Sequence, residues 1–75
     1  MELNLFIEKF AEQFEDTPIE FFSASTIFKD LNEWSSLTAL SIISMVDEEL
    51  DIRITGADIR NSSTIEDLYN LVNSK

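Results

Sequence analysis

With no Cys and no His in 75 residues, the side chains able to do chemistry are chiefly hydroxyls and carboxylates. Thiol nucleophiles, imidazole bases, disulfides and zinc fingers are excluded at once. Fifteen Asp or Glu against five Lys or Arg give a formal charge of −10, which repels phosphate backbones and anionic membranes and favours basic protein patches. Acid–base catalysis by paired carboxylates needs a cleft holding one raised-pKa carboxyl, and a chain this short with acids on helix exteriors has little room for one. Asp51 followed by Gly56 has the opening of a calcium loop, but Arg53 falls on a ligand position and Ser62 on that of the bidentate Glu. No metal site is expected. What remains is the pair Ser35-Ser36, placed just before an apolar run, which by residue type alone reads as helix capping.

The elements that must position these groups read as helices. One Gly and one Pro in the whole chain argue against a turn-rich sheet. Leu3, Phe6, Ile7, Phe10, Ala11 and Phe14 recur at three and four, predicting an amphipathic helix of about a dozen residues that ends near Asp16-Thr17-Pro18. From Pro18 to Ser35 the periodicity weakens, so this long connection should pack its own Phe and Leu side chains on the core, with room for a short helical turn. A second helix spans Ser36 to Leu50. Its core face is assigned to Ala39, Ile42, Ile43, Val46 and Leu50, with Leu40 at the border. Leu37 and Met45 fall on the polar side with Thr38, Ser41, Ser44 and Glu48, the pattern of a contact surface. A short helix around Ala57 to Arg60 precedes a final one carrying Ile65, Leu68, Tyr69, Leu71 and Val72, capped by Ser63 with Glu66 or by Thr64 with Asp67. The expectation is one all-α domain over residues 1–73, a small four-helix bundle of three main helices and one short one, with 74–75 a frayed tail. No apolar run approaches the ~20 residues of a membrane span, and the N-terminus carries acids where a secretion signal carries bases. A cytoplasmic monomer is expected.

This order of elements on an acidic chain resembles an acyl carrier protein, and the local sequence sharpens the likeness. Glu33-Trp34-Ser35-Ser36-Leu37, followed by an apolar helix ending in Asp47-Glu48-Glu49-Leu50, resembles the family's Asp-Ser-Leu motif and the helix it opens. Ile27-Phe28-Lys29-Asp30-Leu31 upstream, and Ile52-x-Ile54 with Ser63-Thr64-Ile65-x-Asp67-Leu68 downstream, extend the match from about Ile27 to Val72. The first helix agrees in pattern rather than in residues.

The resemblance implies that Ser36 carries 4′-phosphopantetheine, installed by a phosphopantetheinyl transferase, and that acyl groups ride as thioesters on the arm. Ser35 then serves as N-cap, accepting from the amide of Leu37 or Thr38; a phosphodiester in the first turn meets unpaired amides and the positive dipole end. Leu37, Ser41, Met45, Asp47 and Glu48 become the docking surface for acyl-processing enzymes with basic patches. Phe28, Leu40, Ile43, Val46, Ile59, Leu68 and Val72 become the lining of an interior acyl pocket. Three positions depart from the pattern: Ser35 stands where the family usually has Asp, and Thr38 and Ser41 stand where many fatty-acid carriers place acids. These departures lean towards a specialised biosynthetic system over housekeeping fatty-acid synthesis. Ser62 stands where an apolar residue commonly lies near the pocket opening. The competing reading is a small acidic helical adaptor without a prosthetic group, docking through Leu37 and Met45.

Overall fold

The computed structural model describes all 75 residues and contains four α-helices and no strand: α1 Leu3–Ala11, α2 Ser36–Leu50, α3 Gly56–Arg60 and α4 Ile65–Asn73. α1 packs on α2 and α4, and α3 bridges α2 and α4. The core is apolar throughout except for Ser62, whose buried hydroxyl donates to the Asp58 carbonyl at 3.1 Å.

α1 stops earlier than its apolar spacing suggests. The Gln13 side chain takes the Lys9 carbonyl at 3.1 Å, and the Gln13 and Phe14 amides reach back only three residues, to Phe10 and Ala11. Such tightening satisfies carbonyls that a helix end leaves open. Phe14 nonetheless stays buried, so the apolar repeat continues past the point where the helix has ended.

The long connection contains two one-turn 3₁₀ segments, Ile19–Phe21 and Phe28–Asp30. It anchors itself through aromatic rings: Phe10, Phe14, Phe22, Phe28 and Trp34 form a continuous cluster, with Phe28 and Trp34 centroids 4.9 Å apart and Phe14 and Phe22 5.0 Å apart. Each buried Phe stabilises the fold by about 1.5–3 kcal/mol. The connection is also strapped to the start of α4, whose Ile65 and Glu66 amides donate to the Thr26 and Ala24 carbonyls at 3.2 and 3.0 Å. These amides would otherwise be orphans of a helix start.

Caps fix the remaining boundaries. Thr55 with Asp58 opens α3, and Thr64 with Asp67 opens α4, each as a reciprocal capping box. Of the two overlapping caps read for α4, the Thr64 one forms, because the Asp67 carboxylate accepts from both the Thr64 and Ser63 amides, at 3.0 and 3.1 Å. α2 ends with Asp51 in the left-handed region at φ 56°, its amide returning to the Asp47 carbonyl at 3.0 Å. At the chain's end, Lys75 pairs with Asp58 at 3.1 Å and the Ser74 hydroxyl donates to the Leu71 carbonyl.

The buried arc of α2 takes in the face read from the sequence, with Ile42 and Val46 buried and Ala39, Ile43 and Leu50 half-buried against the core, but it is turned so that Met45 joins it. Ile42, Met45 and Val46 are the buried residues, so the arc centres on Ile42. Counting about 100° per residue from there, Met45 lies about 60° to one side and Leu40 about 160° away, on the outer face. Met45 is 4% exposed and Leu40 58%. Met45 therefore belongs to the core, not to an outward docking face, and Leu40 faces outward, not into an interior pocket.

Candidate functional site

The segment Glu33 to Ser36 is held residue by residue. The Glu33 carboxylate spans 16 to 18 residues to accept the Glu15 and Asp16 amides, at 3.1 and 2.9 Å, and the Thr17 hydroxyl. That hydroxyl first, then the Asp16 and Glu15 amides, holds the Glu33 carboxyl below its ordinary range against the opposing effect of desolvation. The Glu33 carbonyl accepts the Thr38 hydroxyl at 2.8 Å. Trp34 turns inward between Phe14 and Phe28. Ser35 caps α2, its Oγ accepting the Thr38 amide at 3.3 Å, and its carbonyl takes the Ala39 amide at 3.0 Å.

Ser36 is thus left at the first position of α2 with its side chain exposed and the capping role already filled. Two of the four first-turn amides, those of Thr38 and Ala39, are used by Ser35; those of Ser36 and Leu37 have no intrahelical acceptor and suit an anionic group at this end. A hydroxyl so placed can be modified without disturbing the cap.

Two depressions lie along α2, one lined by Leu37 and the other by Ser36, and they differ in charge. On one side, a groove of about 520 Å³ is lined by Leu37, Leu40, Ser41, Met45, Glu48 and Glu49 of α2, by Lys9 of α1 and by Glu12 and Gln13 just past its end. Lys9 bridges its walls, 3.8 Å from Glu49 and 4.0 Å from Glu12. Leu37 is 77% exposed, so Leu37 and Leu40, three residues apart, form the outward apolar pair of α2. On the other side, a cleft of about 180 Å³ between α2 and α3 is lined by Lys29, Trp34, Ser35, Ser36, Ala39, Gly56, Ile59 and Arg60.

The residues named for docking therefore divide. Leu37, Ser41 and Glu48 share the first groove; Met45 contributes only to its floor; Asp47 is exposed but lies outside it. Of the residues named for an acyl pocket, Phe28, Val46, Ile59, Leu68 and Val72 are buried and Ile43 half-buried. They pack against one another in a closed core, and among them only Ile59 lines a cavity, the cleft beside Ser36. The sequence reading passed over Lys29 and Arg60; the available signal was that two of only five cations bracket this region.

A family model described as "Phosphopantetheine attachment site" matches residues 4–72. No curated protein and no solved structure gives a significant match. The match takes in all but the outermost residues of the fold, from α1 to α4. The chain belongs to the phosphopantetheine-attachment family of acyl-carrier-type proteins, which bear 4′-phosphopantetheine covalently.

Proposed function

We propose that the chain is a carrier and not a catalyst, with Ser36 as the residue that bears 4′-phosphopantetheine. The observation that carries this reading is the division of labour between the two serines: Ser35 is engaged as the cap, and Ser36 is free at the helix start. In the loading reaction Ser36 Oγ forms the new bond to the pantetheine-linked phosphorus of coenzyme A. Its proton leaves to a base of the transferase, and the bond to the nucleotide portion breaks. When bound, the group supplies the thiol that the chain lacks, on which acyl intermediates travel as thioesters.

The chain's own residues orient this chemistry. Glu33, Trp34 and Thr38 hold the segment against the bundle, so the hydroxyl is presented by a fixed helix end and not by a loop. Leu37 and Leu40, sharing their groove with Glu12, Glu48 and Glu49, form a small apolar centre within acidic surroundings, suited to transient contact with a basic partner. The neutral residues at Ser35, Thr38 and Ser41 thin the negative field close to Ser36, which favours a specialised pathway, polyketide or lipid-like, over general fatty-acid synthesis.

Incubation with a phosphopantetheinyl transferase and coenzyme A, followed by intact-mass measurement, tests the assignment. Ser36→Ala is expected to abolish the mass gain and Ser35→Ala only to slow it. The reverse pattern sinks the assignment, and no gain in the wild type under saturating conditions favours the adaptor reading.

A further inference from the structure

We propose that Lys29 and Arg60 form a cationic seat for the phosphodiester of the arm on Ser36, drawing the root of the arm into the cleft between α2 and α3; this rests on Ser36 being the attachment site. The first argument is the distribution of charge. Of five basic residues, Lys9 and Lys75 are paired with carboxylates, whereas no carboxylate lies within 4.0 Å of Lys29, Arg53 or Arg60. Two of these three unpaired cations line the same cleft as Ser36. That cleft contains no Asp or Glu, while each of the other three depressions contains at least two. On a surface of −10, a basic, acid-free recess beside the exposed serine is a local reversal of sign.

The second argument is preorganisation. Lys29 Nζ donates to the Arg60 carbonyl at 2.9 Å and sits 5.7 Å from the Phe28 ring centroid, so its position is fixed while further N–H donors remain. Arg60 lies back over Gly56, its guanidinium 3.3 Å from where a Cβ would stand. A larger residue at Gly56 would crowd it. A phosphodiester carries one negative charge on two non-bridging oxygens, which a guanidinium fork and an ammonium can share.

The third argument is size and polarity. A volume of about 180 Å³ corresponds to roughly six waters at their liquid volume, on the order of a phosphate group with its first carbons. The carbon next to the phosphate-bearing methylene of pantetheine is a dimethyl quaternary centre. Trp34, Ala39 and Ile59 provide apolar lining for it.

The test uses the loaded protein. Wild type, Lys29→Gln, Arg60→Gln, the double variant and Lys29→Arg are each loaded with coenzyme A and a transferase, checked by intact mass, and checked for folding by circular dichroism. Phosphorus NMR and nuclear Overhauser spectra are then recorded. In the wild type the pantetheine dimethyl protons are expected to show contacts to the Trp34 indole, and the Gly56 amide and Arg60 Nε–H to shift on loading. In the double variant these contacts should vanish, and the phosphorus line should narrow to that of a freely moving diester. Lys29→Arg should keep them. At 1 M salt, where the screening length falls to about 3 Å, the wild type should approach the double variant. Full loading of the wild type without contacts to Trp34, or a phosphorus line unchanged in the double variant, overturns the seat and leaves the attachment standing. No mass gain in any protein overturns the attachment itself, and the seat with it.

Discussion

Glu33 sits in an acidic neighbourhood and still binds it. Its carboxylate holds the amides of Glu15 and Asp16, two residues whose own charges repel it, and the Thr17 hydroxyl completes the set. The same arrangement, a carboxylate accepting backbone amides, recurs at Asp58 and Asp67, which are also held below their ordinary range: Asp58 chiefly by the Thr55 amide and then Lys75, Asp67 by the Thr64 and then the Ser63 amide. For all three the folded pKa lies below the unfolded one. Their stabilisation is therefore complete above the unfolded value, near pH 4, and is lost as pH falls through the folded value. Glu33→Gln should lower the urea midpoint at pH 7 and make its decline towards pH 3 shallower than in the wild type. Parallel midpoint curves for the two proteins would show that Glu33 contributes no proton-linked stability. The residues of the motif were legible in the sequence, but this latch was not. Its partners lie 16 to 18 residues away, and two of them are backbone amides, which no residue type announces.

α2 shows how far a periodic pattern carries. Its extent, Ser36 to Leu50, and its cap at Ser35 agree with the sequence reading, because a polar pair before an apolar run and an acidic end after it are local signals. The direction of its buried face is not local. A period of 3.6 fixes the angles between residues but leaves the zero to the neighbours, and with α1 and α3 both packed on α2, Met45 lies inward and Leu40 outward. α1 gives the complementary lesson: Phe14 keeps the helical spacing, yet the helix has already tightened at Gln13, since a 3₁₀ turn also returns a side chain to the same side. The reassigned face of α2 is testable. Met45→Ala should destabilise the fold by about 2–5 kcal/mol in urea unfolding, as for a truncated core side chain. Leu37→Ala should change stability by no more than about 0.5 kcal/mol while raising the transferase KM for the carrier. A stability loss at Leu37 comparable to that at Met45 would place both in the core and remove the docking role.

At the scale of the whole molecule, charge acts against folding and for recognition. The three ion pairs all involve at least partly exposed side chains and contribute little individually, so the −10 is largely uncompensated. The Cα radius of gyration is 10.9 Å, and the screening length is about 10 Å at 0.1 M salt. Screening in the ordinary laboratory range therefore spans the distances over which the acids repel one another across the molecule. Adding sodium chloride from about 0.01 to 0.5 M, a range over which the screening length shrinks from roughly 30 Å to under 8 Å, should raise the Tm as self-repulsion fades. If Asp47, Glu48 and Glu49 attract a basic transferase, as proposed above, the loading rate should fall over the same range, because that attraction is screened too. The two trends must have opposite signs if one charge distribution produces both. A Tm independent of salt would mean that the acids are already too far apart or too solvated to repel. Loading independent of salt would move recognition from the acidic rim to the apolar pair Leu37 and Leu40.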